Sequence, residues 1–151
     1  MIVFNKKNKK MKKKLVIIDD DADMRLYYIT VLGDLNLKII EAESGEEGIK
    51  KVSEEKPDLV LLDLLMPQEG GLAVFNKIKD DPELNNTPVI IISAATSVTG
   101  VDMKYYVYNR PFKERKKNVT GKKIEIRPVE YLEKPVKPED LLNIVKKVLA
   151  L

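Results

Sequence analysis

The chain has 151 residues, 44% of them hydrophobic and 34% charged, with a formal net charge of +3. This is enough apolar material for one core and too little chain for two ordinary domains. Neither Cys nor His occurs, which excludes disulfides, thiol nucleophiles and imidazole catalysis. Carboxylates, hydroxyls, amines and an oxygen-bound cation remain as the chemical repertoire.

Residues 1–14 carry seven Lys and no acid. The apolar stretch after them, Leu15 to Ile18, ends at three aspartates. That is too short for a signal-peptide core, and no later segment approaches a membrane span. A cytoplasmic protein without a membrane partner is expected, with a disordered basic tail over 1–12 and a single domain over 13–151. Met11 offers a second start, so the first ten residues read as an extension without a structural role.

Leu15–Ile18, Leu37–Ile40, Leu59–Leu62 and Val89–Ile92 are Val-, Ile- and Leu-rich runs too short for helices, and read as buried strands of a parallel sheet. Between them lie segments of helical spacing: Met24, Tyr28, Val31, Leu32 and Leu35, then Glu46 to Val52, then Leu72 to Ile78. The stretch 97–127 breaks this rhythm. It holds nine Lys or Arg against three Asp or Glu, is punctuated by Gly100, Pro111 and Gly121, and contains Tyr105-Tyr106-Val107-Tyr108 and Lys122-Lys123-Ile124-Glu125-Ile126. A β-hairpin-like arm or partly mobile loop is expected there. A fifth strand is placed at Val129–Leu132. A last helix runs from Pro138 to Leu149, with Pro in its first turn and an apolar face of Leu141, Leu142, Val145, Val148 and Leu149. Strand and helix alternate, so the fold class is an open α/β sheet with helices on both faces. No second domain is expected to follow, and any output is expected from this domain itself.

The polar candidates fall where such sheets bind ligands, at the carboxyl ends of strands. Asp19 and Asp20 follow the first, Asp63 the third, Ser93 the fourth and Lys134 the fifth. Taken singly, most have plain explanations. Asp19-Asp20-Asp21 resembles a solvated loop with a helix cap, and Ser93 and Lys134 are unremarkable strand ends. Asp63 is harder to dismiss, because a carboxylate inside an apolar run is costly unless paired or metal-bound. Together they form a kit for phosphoryl transfer to a carboxylate, in which charge neutralisation and positioning are the main tasks. Clustered aspartates offer hard oxygen ligands to Mg²⁺, Lys134 can neutralise a phosphoryl oxygen, and the Ser93 hydroxyl can donate to another.

Four segments carry a resemblance to the receiver domains of two-component response regulators: Val16-Ile-Ile-Asp-Asp-Asp-Ala-Asp-Met-Arg25, Leu59-Val-Leu-Leu-Asp-Leu-Leu-Met-Pro67 with Gly71, Thr87-Pro-Val-Ile-Ile-Ile-Ser-Ala94, and Tyr131-Leu-Glu-Lys-Pro135. The resemblance covers roughly residues 13–96 and 128–150. It implies a flavodoxin-like five-stranded sheet of order 2-1-3-4-5. It also implies a signalling domain rather than a turnover enzyme, which catalyses only its own phosphorylation and dephosphorylation. By the same resemblance Asp63 is the phosphoacceptor, and Asp19, Asp20, Asp63 and the Leu65 carbonyl hold Mg²⁺, or Mn²⁺ in its place. Lys134 and Ser93 assist the chemistry. Ser93 and Tyr131 form the switch, Tyr131 turning inward when Ser93 moves to the phosphoryl group, and the bond before Pro135 is cis. The implied partners are a histidine kinase or histidine phosphotransfer protein as donor and an unidentified protein downstream.

One departure stands out. Ser93 and Lys134 are 41 residues apart, roughly twice the separation usual in that family. The extra length replaces or extends the fourth-helix region as a candidate docking arm. Two positions in the site, Leu65 and Ala95, are apolar where a polar group could orient an attacking water, so slow loss of phosphate is expected. Two other readings use the same residues. A haloacid-dehalogenase-like phosphatase shares the chemical kit but orders its motifs differently. A nucleic-acid-binding module would use Tyr105, Tyr106, Tyr108 and Phe112 among Arg110, Lys113, Arg115, Lys116 and Lys117, against the plainer reading of a basic loop whose aromatics pack on the domain.

Overall fold

The computed structural model describes residues 10–68, 70–94, 96–109, 120–121 and 127–151. Five strands, β1 (Lys14–Ile18), β2 (Lys38–Ala42), β3 (Leu59–Asp63), β4 (Val89–Ala94) and β5 (Glu130–Lys134), form one parallel sheet in the order β2-β1-β3-β4-β5. The helices are α1 (Ala22–Leu32), α2 (Gly45–Glu55), α3 (Gly71–Asp80), α4 (Thr96–Thr99), α5 (Met103–Tyr108) and α6 (Pro138–Leu149). This is the doubly wound, flavodoxin-like order that the resemblance to receiver domains implies. Among the described residues no helix is long and apolar enough to cross a membrane. Residues 1–9, which make up most of the expected basic tail, lie outside the described residues.

Neighbouring residues of each central strand feed opposite cores. Leu15, Ile17, Leu59, Leu61, Ile90 and Ile92 pack with Tyr28 and Leu32 of α1 and with Leu141, Val145 and Leu149 of α6. Val16, Ile18, Val60, Leu62, Val89 and Ile91 pack with Val52 of α2, Val74, Phe75 and Ile78 of α3, and Val107 of α5. A sheet covered on both faces has no solvent side, which is why these strands read as unbroken apolar runs rather than alternating ones. The helices start on local chemistry. Asp21 caps α1, its Oδ1 accepting from the Asp23 and Met24 amides at 2.9 and 3.4 Å. Ser44 caps α2 by accepting from the Glu47 amide at 3.2 Å, while Glu47 reaches back to the Glu43 amide at 3.1 Å. In α6, Glu139 and Asp140 in the first turn and Lys146 and Lys147 in the last oppose the helix dipole.

Two expectations need correction. The fifth strand is Glu130–Lys134 rather than Val129–Leu132, because its partners are Ile90–Ala94 of β4 and that register carries it past Leu132. The hairpin-like arm is not what Tyr105 to Tyr108 form; they lie in α5. Asp102 caps that helix by accepting from the Tyr105 amide at 2.8 Å. Met103 and Val107, four residues apart, set their side chains into the core, Val107 completely. A cap and an i, i+4 contact thus outweigh the β-propensity of a Tyr-Tyr-Val-Tyr run. Tyr108 also packs against the core, whereas Tyr105 is exposed. The other aromatic and basic residues behind the nucleic-acid reading, 110–117, and the Lys122–Ile126 half of the expected arm lie outside the described residues.

One cation is buried away from the strand ends. Lys79 near the end of α3 is 4% exposed, its Nζ donating to the carbonyls of Thr87 at 2.8 Å and Asn85 at 3.3 Å and standing 5.9 Å from the Phe75 ring centre. Burial lowers its pKa to about 8. Between that value and the ordinary lysine range the unfolded chain holds a proton that the native state has released, so stability gains with rising pH. Relative to Lys79→Met, the wild type should become more stable by about 1–3 kcal/mol between pH 7.5 and 10.5. Urea unfolding of both proteins across that range checks this, and parallel profiles would show that Lys79 keeps its proton.

Candidate functional site

The parallel register decides which side chains meet. Ile18 at the end of β1 pairs with Ala42 of β2 and Leu62 of β3, so Asp19 emerges level with Asp63. Asp63 pairs with Ile92, which puts Ser93 one step further along β4, and Ala94 pairs with Lys134. Distant parts of the sequence thereby reach one rim of the sheet. One carboxylate oxygen from each of Asp19, Asp20 and Asp63 lies within 4.8 Å of the others. Lys134 Nζ stands 3.5 Å from Asp19 Oδ2 and 3.7 Å from Asp63 Oδ1.

Backbone contacts hold the acids in place. The Asp19 amide donates to Ala42 O at 3.1 Å, tying the turn to β2. Asp19 Oδ1 accepts from the Asp21 amide at 2.9 Å, whereas Asp19 Oδ2 is buried without a hydrogen-bond partner. Asp63 Oδ1 accepts from the Leu65 amide at 3.2 Å, which folds the chain back over the strand end. Gly71 permits the next step. A Cβ there would lie 2.0 Å from Asp63 O and 2.5 Å from Leu64 Cα, so α3 can start against the end of β3 only if this residue has no side chain.

Ser93 and Tyr131 occupy adjacent strands, β4 and β5. Ser93 is fully buried, and its Oγ has no partner that meets hydrogen-bond geometry. Tyr131 is also buried, and its phenol is close enough to feel the Ser93 hydroxyl. The Lys134–Pro135 bond that leads out of β5 is cis.

Sequence reasoning gave no role to two residues beside the site. Arg25 on α1 donates from a terminal guanidinium nitrogen to Asp19 O at 2.8 Å and from Nε to Glu41 Oε1 at 3.1 Å. Tyr27 donates to Val136 O at 2.6 Å, linking α1 to the segment after Lys134. Both are helix residues off the predicted apolar stripe, and only their side-chain chemistry hinted at a tertiary partner.

The site is electrostatically costly. Burial raises the Asp63 pKa to about 6; Lys134 opposes the rise and Asp19 reinforces it. Burial also raises Asp19, against the Asp21 amide and Lys134. A carboxylate whose native pKa is raised lends stability while protonated and loses it as pH climbs through the native value. In chelator-treated protein, Asp63→Asn should therefore be more stable than the wild type by about 1–3 kcal/mol at pH 7.5, with the gap closing as pH falls from 6 towards 4. Thermal or urea melts at both pH extremes measure it; a pH-independent difference would mean that Asp63 is not held above its normal range.

Comparison with known proteins agrees with the fold. The family model described as the response regulator receiver domain matches residues 15–106. Protein PilH of Pseudomonas aeruginosa is 30% identical over 136 residues, covering 89% of this chain and 97% of that protein. The probable transcriptional regulator ycf27 of Porphyridium aerugineum is 28% identical over 138 residues, 91% of this chain but 48% of that protein, so the chain spans about half the length of several relatives it matches. Among solved structures, a putative response regulator from Chloroflexus aurantiacus superposes with a TM-score of 0.72 at 22% identity, covering 93% of this chain and 100% of that one. With a family model spanning most of the sheet, a relative matched along nearly its whole length and the expected strand order, the chain belongs to the response regulator receiver domain family.

Proposed function

We propose that this domain accepts a phosphoryl group on Asp63 from a phosphohistidine donor, in a reaction dependent on Mg²⁺ or Mn²⁺, and that the event switches a protein-interaction surface. The observation that carries the reading is the buried Asp19 carboxylate, whose Oδ2 accepts no hydrogen bond and has only the Lys134 ammonium, at 3.5 Å, as an ion-pair partner, clustered with the carboxylates of Asp20 and Asp63. Three carboxylates against one lysine leave excess negative charge in a pocket where two of the acids are buried, and a hard dication with oxygen ligands relieves it. Asp19, Asp20, Asp63 and the carbonyl of Leu65 would hold the ion, which when bound supplies positive charge to the transferring phosphoryl oxygens.

The residues then have distinct tasks. An oxygen of Asp63 forms the bond to phosphorus as the bond from phosphorus to the donor imidazole nitrogen breaks, and the electron pair leaves with the imidazole. Asp63 is held for this by the Leu65 amide, which occupies Oδ1. Lys134, already 3.7 Å from Asp63, neutralises a second phosphoryl oxygen. The unpartnered Ser93 hydroxyl has a hydrogen bond to give, and the new anion is a suitable acceptor. Its movement alters the surroundings of the neighbouring Tyr131 phenol, converting a local charge event into a change of packing. The donor is a histidine kinase or phosphotransfer protein; a chain without His can stand only on the aspartate side of the exchange. The downstream partner is a protein that distinguishes the two states.

Leu65 is apolar and 44% exposed beside the acceptor, and it can neither orient nor activate a hydrolytic water. Incubation with a small acyl phosphate and Mg²⁺ should add one phosphate to the wild type by intact mass and none to Asp63→Ala; equal labelling of both would overturn the assignment. Once formed, the acyl phosphate should decay slowly, and Leu65→Asn should accelerate its loss severalfold. A mutant that decays at the wild-type rate or slower would remove Leu65 from the account.

A further inference from the structure

We propose that Arg25 is a positioning residue for cation binding, acting through the backbone of the Asp19–Asp21 turn and not through its charge. The proposal rests on the reading of the acidic cluster as a Mg²⁺ site. Arg25 lies in the first half of α1, its side chain only 12% exposed, and its guanidinium bridges two elements. One nitrogen takes the Asp19 carbonyl at 2.8 Å, and Nε takes Glu41 of β2 at 3.1 Å. Glu41 is fixed in turn, since its carbonyl accepts from Lys51 Nζ, which also pairs with Glu47 in the first turn of α2.

The turn itself shows what this clamp achieves. The Asp19 amide is bound to Ala42 O, its carbonyl to Arg25, and its Oδ1 to the Asp21 amide. Asp21 is committed to the cap of α1, its side chain accepting from the Asp23 and Met24 amides and its carbonyl from the Arg25 amide at 3.1 Å. With those groups assigned, Asp19 Oδ2 accepts no hydrogen bond and keeps the Lys134 ammonium at 3.5 Å as its ion-pair partner, in a carboxylate that belongs to the acidic cluster. Loss of the guanidinium frees the Asp19 carbonyl, so the peptide between Asp19 and Asp20 can rotate and part the two carboxylates. Groups that orient metal ligands commonly govern affinity by tenfold or more.

Charge and geometry predict opposite signs, and that makes the proposal testable. Removing a cation beside an acidic site reduces repulsion of Mg²⁺ and by Coulomb's law tightens binding; removing a positioning group loosens it. The experiment is calorimetric titration of MgCl₂ into wild type, Arg25→Gln, Arg25→Lys and Asp20→Asn, with circular dichroism to establish folding. Wild type should bind Mg²⁺ and Asp20→Asn should lose most of that affinity. Arg25→Gln should bind about tenfold more weakly. Arg25→Lys keeps the charge but lacks the planar fork that serves both partners, and should recover less than half of the loss on a logarithmic scale. In acyl-phosphate labelling, the half-saturating Mg²⁺ concentration should rise in the Arg25 variants while the rate at saturating Mg²⁺ stays near that of the wild type. Tighter or unchanged binding by Arg25→Gln, or full recovery by Arg25→Lys, overturns the role of Arg25 and leaves the site reading intact. If Arg25→Gln does not fold, Arg25→Lys decides: weaker binding supports the clamp and wild-type affinity overturns it. Failure of the wild type itself to bind Mg²⁺ overturns both.

Discussion

Buried negative charge at the carboxyl rim of the sheet is the constraint on which the remaining structure depends. Asp19 and Asp63 are 1% and 4% exposed, stand level on adjacent strand ends, and share one lysine. Taking carboxylates out of water is expensive, and one ammonium group cannot neutralise a cluster of three. The raised pKa values of both acids express that cost. Stability alone would favour apolar or amide side chains at these positions. The site is instead held with excess charge, relieved by a proton or by a cation, and its affinity for positive charge is the counterpart of its cost in folding free energy.

Keeping such a cluster together requires rigid surroundings, and the fold supplies them from both sides. β1 and β3 are at the centre of a sheet covered on both faces, so their ends cannot splay to separate the acids. Gly71 brings the start of α3 against the Asp63 carbonyl. Gly48 lets α2 pack against the Ile18 side chain of β1, since a Cβ there would lie 2.6 Å from Ile18 Cδ1. Helix α1 touches the two flanks of the site, the acidic turn through Arg25 and the lysine-bearing segment through the 2.6 Å bond from Tyr27 to Val136 O. Groups whose positions are fixed in advance need little reorganisation when charge arrives, the property that electrostatic catalysis demands.

The sheet and the acidic cluster were legible in the sequence because their signals are local and strong. Runs such as Leu59–Leu62 and Val89–Ile92 can be little else than buried strands, and the acids directly follow two of them. Strand ends were less legible, since pairing with a neighbour sets them: Glu130–Lys134 is a strand because β4 offers it partners, although Glu130 and Glu133 interrupt the apolar pattern. The helix Met103–Tyr108 is hard to read from sequence for a related reason. Its β-branched and aromatic composition favours strand, and only the core contact of Val107 and the cap from Asp102 reveal a helix. Arg25 and Tyr27 are invisible as tertiary links, because the partner each has beside the site is a backbone carbonyl, of Asp19 and of Val136, which leaves no trace in a sequence.

The same packing explains why a small event at the rim can matter at a distance. Tyr131 belongs to the core cluster that contains Val107, with Met103 and Tyr108 packed against it, so β5 and α5 share one set of contacts next to Ser93. A close-packed interior has no room for a tyrosine ring to change position unless its neighbours change with it. Any change in the position of the Tyr131 ring therefore involves α5, whose Val107 belongs to the same cluster and whose Met103 and Tyr108 pack against it. In this chain the helix that shares the cluster with Tyr131 is a short, Asp-capped segment whose Val107 is fully buried. A helix of 6 residues opens or shifts at lower cost than α3 with 10 or α6 with 12, so α5 is the element beside Tyr131 that yields most readily.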